Sequence, residues 1–250
     1  MIGHNGFDCG IGVYGNNLII IIMKTIVTLL TFLASIFWAQ AQGEIYFRTT
    51  VPPTRISTNS MPGGLATGVT VPGALYYYAL FYSTTATTVG GTSGPIVGVA
   101  SGGGSYAFDD PNWTYVALGT NFSFGRLLST VQNTDGSTTV TGVPAGSAAN
   151  FVVVGWSASM GANLPAVKNY YDQVYYDQND WIGQSAVSGL ITLGDGTNSL
   201  PANLFGLVSP QIRGFTLGEA PQFLPESGTM VLAAVGVAAG TFFFRRRSPV

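Results

Sequence analysis

Four polar residues in the second half of the chain form the densest group of possible ligands. They are Asp172, Asp177, Asn179 and Asp180, and they lie among several tyrosines and Trp181. Clustered carboxylate and amide oxygens suit Ca²⁺, and aromatic rings beside carboxylates suit a sugar. The spacing departs from the D-x-[DN]-x-[DN]-G pattern of an EF-hand loop. A solvated acidic loop whose tyrosines pack on a sheet is therefore the simpler interpretation.

Two other segments contain residue types that enzymes use. Asp109–Trp113 has two carboxylates, but Asp, Asn and Pro in this order are typical of a turn. A glycosidase needs a carboxylate pair roughly 5–10 Å apart, and the sequence gives no reason to pair this segment with Asp172–Asp180. Gly155–Ser159 is similar to part of a G-x-S-x-G nucleophile elbow, but its fifth residue is Ser. We interpret it as the end of a strand.

The composition excludes several kinds of chemistry. The only cysteine, Cys9, and the only histidine, His4, lie within the first ten residues. The rest of the chain therefore has no material for a disulfide framework, a Cys/His zinc site or a Ser-His-Asp triad. Only 8% of the residues are charged and the net charge is −2, which argues against binding nucleic acid phosphates. We expect no catalytic residues, no cofactor and no enzymatic activity.

The region that includes residues 23–41 has the pattern of a secretory signal peptide. An uncharged run from residue 25 to residue 38 follows Lys24 and ends at Ala39-Gln40-Ala41. A basic start, an apolar run and small residues at positions −3 and −1 are what signal peptidase recognises. Cleavage is predicted after Ala41. Residues 1–22 fit this pattern badly, so we interpret them as a mis-assigned leader before a start at Met23; a genuine long leader is the alternative.

The C-terminal residues 221–250 contain three successive signals. Pro225, Glu226 and Ser227 come first, residues 229–244 are uncharged and largely apolar, and the arginines Arg245, Arg246 and Arg247 follow. The 16-residue run is slightly shorter than the ~17–25 residues of a typical transmembrane helix, but arginine snorkelling extends it. We predict a transmembrane helix over 229–244 whose arginines stay in the cytoplasm.

This tail resembles the PEP-CTERM sorting signal of exported proteins. In that family a Pro-Glu-Pro box, a transmembrane helix and a basic tail are recognised by an exosortase, a membrane processing enzyme. Pro225 and Glu226 match the first two positions of the box, whereas Ser227 stands where the third proline is usual. The resemblance implies an intermediate anchored in the inner membrane and then delivery to the cell surface or extracellular matrix. A sortase LPxTG-like signal over Leu224–Gly228 and an ordinary membrane anchor are the alternatives.

Residues 42–220 are predicted to form one all-β domain, a single antiparallel β-sandwich of the jelly-roll type. Short apolar runs alternate with turn-forming residues, and Asp135-Gly136 predicts a hairpin turn. In the run Ala74–Tyr82, alternation sends Tyr78 and Leu80 to one face and Ala79 and Phe81 to the other. Both faces are apolar, as expected for a central strand. A short helix is predicted where Val167, Tyr170, Tyr171 and Val174 recur at helical spacing.

These observations predict an exported protein with a structural or adhesive role. The expected partners are signal peptidase, an exosortase-like enzyme, the membrane through the C-terminal helix, and extracellular polysaccharide. A lectin-like carbohydrate-binding module of the exopolysaccharide matrix is the alternative, because surface aromatics beside carboxylates would serve it. A glycoside hydrolase using two carboxylates is a third class.

Overall fold

The computed structural model describes residues 22–29, 41–49, 54–59, 66–73, 75–98, 105–172 and 180–219. The chain divides into two units, Met1–Ala41 and Gln42–Val250. In the first unit, residues 22–29 are helical. Within the ranges just given, no helix is long and apolar enough to cross a bilayer. Several predicted features lie outside those ranges: Ala39 of the cleavage site, the transmembrane segment 229–244, and the tail residues Pro225, Glu226, Ser227, Arg245, Arg246 and Arg247.

The second unit, which we call the body, is built mostly of β-strands, as predicted. A 3₁₀ turn over Ala158–Met160 and the α-helix α1 (Leu164–Tyr171) follow the longest central strand. The described strands are β1 (Gln42–Tyr46), β2 (Ser57–Asn59), β3 (Ala66–Val69), β4 (Tyr76–Ser83), β5 (Ile96–Val97), β6 (Thr114–Ser123), β7 (Arg126–Ser129), β8 (Thr138–Pro144), β9 (Ala148–Ser157), β10 (Trp181–Gln184), β11 (Ile191–Thr192), β12 (Ala202–Asn203) and β13 (Thr216–Glu219).

The strands form a large sheet and a small sheet. The large sheet has the order β3-β2-β13-β10-β9-β4-β6-β7, with β5 added to β10 and β11 to β9, and the small sheet has the order β12-β1-β8. Most neighbours are antiparallel, as predicted. The pairs β1–β12 and β2–β13 run parallel instead, because a long connection returns each partner in the same direction.

The central strands β4 and β9 bury both of their faces. Tyr78 and Leu80 belong to one hydrophobic core, whereas Ala79 and Phe81 belong to a second core on the opposite face. This confirms the alternation predicted for this strand. β-Branched residues fit a pleated surface covered on both sides, and the valines of β9 alternate between the two cores in the same way.

Different elements cover the two faces. The small sheet contributes Ile45, Val140 and Val143 to the first core. Helix α1 and the loop before β6 cover the second core, where Val167 and Tyr106 are fully buried. The helix begins at Asn163, whose side chain accepts a hydrogen bond from the backbone N–H of Ala166 at 2.9 Å, a standard N-cap. The predicted helix is thus confirmed up to Tyr171; Val174 lies outside the described residues.

The large sheet curls so that its outer strand meets the continuation of β1. The N–H of Ser129 in β7 donates to the Phe47 carbonyl at 3.1 Å, and the N–H of Thr49 donates to the Leu127 carbonyl at 3.2 Å. The turn at Asp135-Gly136 forms, with Gly136 at a φ of +82°. However, β7 pairs with β6 while β8 pairs with β1. The predicted hairpin is therefore wrong, since this turn carries the chain from one sheet to the other.

Candidate functional site

A buried carboxylate, Asp180, lies at the junction of helix α1, the 3₁₀ turn and strand β10. Its side chain is completely shielded from water. The Ser159 hydroxyl donates to Oδ1 of Asp180, and the Tyr170 hydroxyl donates to Oδ2. Ser157 Oγ lies 3.0 Å from Ser159 Oγ and accepts a hydrogen bond from the N–H of Trp181, also at 3.0 Å. Asp180 thus connects three elements through hydroxyl donors.

The structure separates the described members of the predicted calcium set by environment. Asp172 is the exposed C-cap of helix α1, and its N–H donates to the Lys168 carbonyl at 3.0 Å. Asp180 is buried. Asp177 and Asn179 lie outside the described residues. Across the described ranges, no group of three or more His, Cys, Asp or Glu side chains is arranged to hold a metal ion.

The Gly155–Ser159 segment ends strand β9, as interpreted from the sequence. Gly155 and Trp156 are in the strand, and the 3₁₀ turn begins at Ala158. The hydroxyls of Ser157 and Ser159 are hydrogen-bonded within the Asp180 network. Their described hydrogen-bond partners are a carboxylate, a hydroxyl and a backbone N–H.

The second acidic segment is a turn tied to the helix. Lys168 of α1 forms an ion pair with Asp109 at 2.6 Å, and both side chains are partly exposed. Asp110 accepts hydrogen bonds from the N–H groups of Asn112 at 3.0 Å and Gly90 at 3.1 Å. Burial alone would raise the pKa of Asp110, but these hydrogen bonds outweigh it and lower the pKa. Both carboxylates therefore have structural partners.

The aromatic residues beside the helix pack on one another. Tyr106 stacks on Phe108 with ring centroids 5.4 Å apart, and Tyr171 meets both rings edge-on. The Tyr106 hydroxyl donates to the Gly98 carbonyl, and complete burial raises the pKa of Tyr106. These rings attach α1 to the loop beneath it. They match the interpretation of packed tyrosines better than that of an open sugar platform.

Sequence reasoning missed a polar network between β1 and the turn before β8. The hydroxyl of Ser137 lies 2.7 Å from Oε2 of Glu44 and 2.6 Å from Oδ1 of Asp135, and the Asn133 amide donates to Oε1 of Glu44 at 2.9 Å. The hydrogen bonds from the side chain and N–H of Ser137 lower the pKa of Asp135. Glu44 lies some ninety residues before Asp135, so no local motif pairs them.

Neither the fold nor these networks can be assigned to a known group by similarity. No protein-family model matches the chain, and no curated protein or solved structure is significantly similar to it.

Proposed function

We propose that this chain is an exported, non-catalytic protein with a structural or adhesive role at the cell surface or in the extracellular matrix. The observation that carries the proposal is the pair of terminal signals in the sequence. One is the apolar run that ends at Ala39-Gln40-Ala41, and the other is Pro225-Glu226 followed by the apolar segment 229–244 and three arginines. Signal peptidase, an exosortase-like enzyme and the inner membrane are the partners in this route.

The body supports the proposal through the way it uses its ionisable groups. Asp180 accepts hydrogen bonds from two hydroxyls, Asp109 pairs with Lys168, and Glu44 accepts from Asn133 and Ser137. Each of these carboxylates stabilises a junction between elements. We further propose that the two sheets that share the first core are a β-sandwich of the jelly-roll class, a compact form suited to a surface module.

The sorting step is tested by fractionating cells that produce the full chain or a chain lacking residues 225–250. We expect the full chain in the membrane or surface fraction and the truncated chain in the periplasm or medium. Pro225→Ala with Glu226→Ala should block processing, whereas Pro221→Ala, just before the motif, is the matched control. Identical fractionation of the full and truncated chains would refute the proposal, as would a mature N-terminus upstream of Gln42.

A carbohydrate-binding role is the second candidate, supported by one exposed ring. Tyr115 of β6 is about two-fifths exposed and meets Phe81 edge-on at 5.9 Å, so a supported aromatic face reaches solvent. Trp181 packs against the first core and is less suited. Binding of the full chain to a polysaccharide array that is lost with Tyr115→Ala but kept with Tyr115→Phe would support a lectin-like module. Polysaccharide turnover would instead support a hydrolase.

A further inference from the structure

One end of the large sheet carries large apolar side chains that water reaches. We call this surface the Phe122 patch, and its side chains are between 43% and 56% exposed. The buried side chain of Asn121 ties the patch together, because its Oδ1 accepts from the N–H of Tyr76 at 2.9 Å and its Nδ2 donates to the Val71 carbonyl. The members of the patch are Val71, Leu75, Phe122 and Phe124.

The tip of the patch is the tight turn between β6 and β7. Ser123 pairs with Arg126, and Gly125 has a φ of +66° and donates its N–H to the Thr70 carbonyl at 2.8 Å. Tight turns favour Gly, Asn and Asp, which adopt these angles or bond their own backbone. The turn therefore does not require a phenylalanine at position 124. Its exposed ring points to an environment less polar than water.

Two arginines flank this turn. Arg126 follows the turn directly. Arg55 lies next to Gly125, since a Cβ added to Gly125 would be 2.9 Å from the Arg55 Cβ. In the part of the chain that the structure describes, the one ion pair joins Lys168 to Asp109. Residues 42–224 contain five basic and nine acidic residues, so the turn with its two neighbouring arginines is basic within an acidic stretch of the chain.

The chain leaves the sheet at the same end. Glu219, the last residue of β13, pairs with Trp181, and the N–H of Trp181 donates to Ser157 Oγ. Ser157 in turn pairs with Tyr76, the neighbour of Leu75. The sequence continues for 31 residues after Glu219 and includes the predicted membrane segment. The patch therefore lies at the same end of the large sheet as Glu219, the last described residue.

We propose that the Phe122 patch rests on the surface of an anionic bilayer while the tail is anchored in that bilayer; this rests on the proposed function. Aromatic rings favour the interface between lipid and water, and arginines favour anionic headgroups. A second apolar surface, an open groove of about 510 Å³ lined by Leu190, Val208 and Pro210 among others, has no charged residue in its lining. Charge complementarity thus selects the Phe122 patch.

The test uses the full chain carrying Cys9→Ser, with one cysteine introduced for an environment-sensitive fluorophore. Phe124→Cys probes the tip and Phe122→Cys repeats the measurement on β6. Val208→Cys, at a side chain that is 71% exposed in the second surface, is the matched control. The chain is placed in vesicles of phosphatidylcholine alone or with phosphatidylglycerol, and quenching by a lipid-borne quencher is measured after flotation.

We expect lipid quenching of the labels at 122 and 124 in phosphatidylglycerol vesicles and none at 208. The double variant Arg55→Gln with Arg126→Gln should lower the ratio of lipid-shielded to water-exposed label about 30-fold at low salt. This factor follows from the usual binding free energy of each basic residue at an anionic surface, taken for two residues. A floating chain whose label at 124 is as exposed as that at 208 overturns this inference alone. A chain that does not float with vesicles overturns the proposed function as well.

Discussion

Replacing Asp180 with asparagine tests whether this carboxylate stabilises the body through its hydrogen bonds or is a calcium ligand. The substitution keeps the shape of the side chain but turns one acceptor into a donor facing a hydroxyl. Hydrogen bonds to charged groups contribute ~1.5–3 kcal/mol each, and Ser159 and Tyr170 are among the donors to Asp180. The neutral asparagine side chain avoids the desolvation penalty of a buried charge, and this offsets part of the loss. We expect the free energy of unfolding to fall by ~2–4 kcal/mol.

Urea unfolding followed by tryptophan fluorescence measures this change, and it is run in EDTA and again with calcium. Asp172→Asn on the exposed end of the helix is the control in EDTA only, because Asp172 belongs to the same predicted calcium set; there we expect it within ~0.5 kcal/mol of the parent, as for most surface changes. If Asp180 stabilises the body through its hydrogen bonds, its substitution lowers the free energy of unfolding equally in both solutions. A change below ~0.5 kcal/mol in both solutions would refute the structural role, and a loss seen only with calcium would instead indicate a metal ligand.

Three further outcomes follow from the geometry. Gly125→Ala should lower the free energy of unfolding by ~1–3 kcal/mol, because its positive φ and the Arg55 Cβ at 2.9 Å both oppose a side chain. Gly146 has a φ of +79° but open space around it, so Gly146→Ala should show only the loss due to backbone strain. Equal melting temperatures of the two variants would contradict this. Burial raises the pKa of Tyr78 and Tyr106. Their contribution to the free energy of unfolding is therefore complete below the ordinary tyrosine pKa of 10.0 and is lost as the pH rises further. The free energy of unfolding of Tyr106→Phe should fall less steeply with rising pH in alkali than that of the parent. Hydrogen bonds from the N–H groups of Ser199 and Thr197 and the side chain of Asn198 hold the pKa of Asp195 well below 3.8, so its stabilisation is lost as the pH falls below that value, and Asp195→Asn should flatten the acid limb of a melting-temperature profile.

The central strands could be predicted because their signal is local. Tyr76–Ser83 and Ala148–Ser157 are long apolar runs, and burial on both faces follows from alternation alone. The sequence does not predict the short strands β2, β3, β7, β10 and β12. Ser57–Asn59 contains only Ser, Thr and Asn, and its place in the sheet is set by β13, some 160 residues later. Tertiary pairing of this kind overrides weak local propensity.

The same difference between local and distant partners explains the candidate sites. The sequence suggested that the tyrosines near Asp180 pack on the sheet, and Tyr170 and Tyr171 do pack against the second core. Helical spacing from Val167 places both on one side of α1. The Asp180 bond to Ser159 and the Glu44 contact with Ser137 join residues far apart in sequence. Asp135-Gly136 misled for the opposite reason, since a correct local turn says nothing about which strands its two sides will join.

The described body is held together by sheet hydrogen bonds and two apolar cores, and its described carboxylates accept mostly from neutral donors. Its one described ion pair, between Lys168 and Asp109, is partly exposed, and such pairs contribute ~0–1 kcal/mol. Salt screens interactions between exposed charges but leaves buried hydrogen bonds almost unchanged. The stability of the body should therefore respond little to ionic strength, whereas contact between Arg55, Arg126 and anionic lipid should weaken strongly. Release of the Phe122 patch by salt at an unchanged melting temperature would thus report on surface binding and not on unfolding.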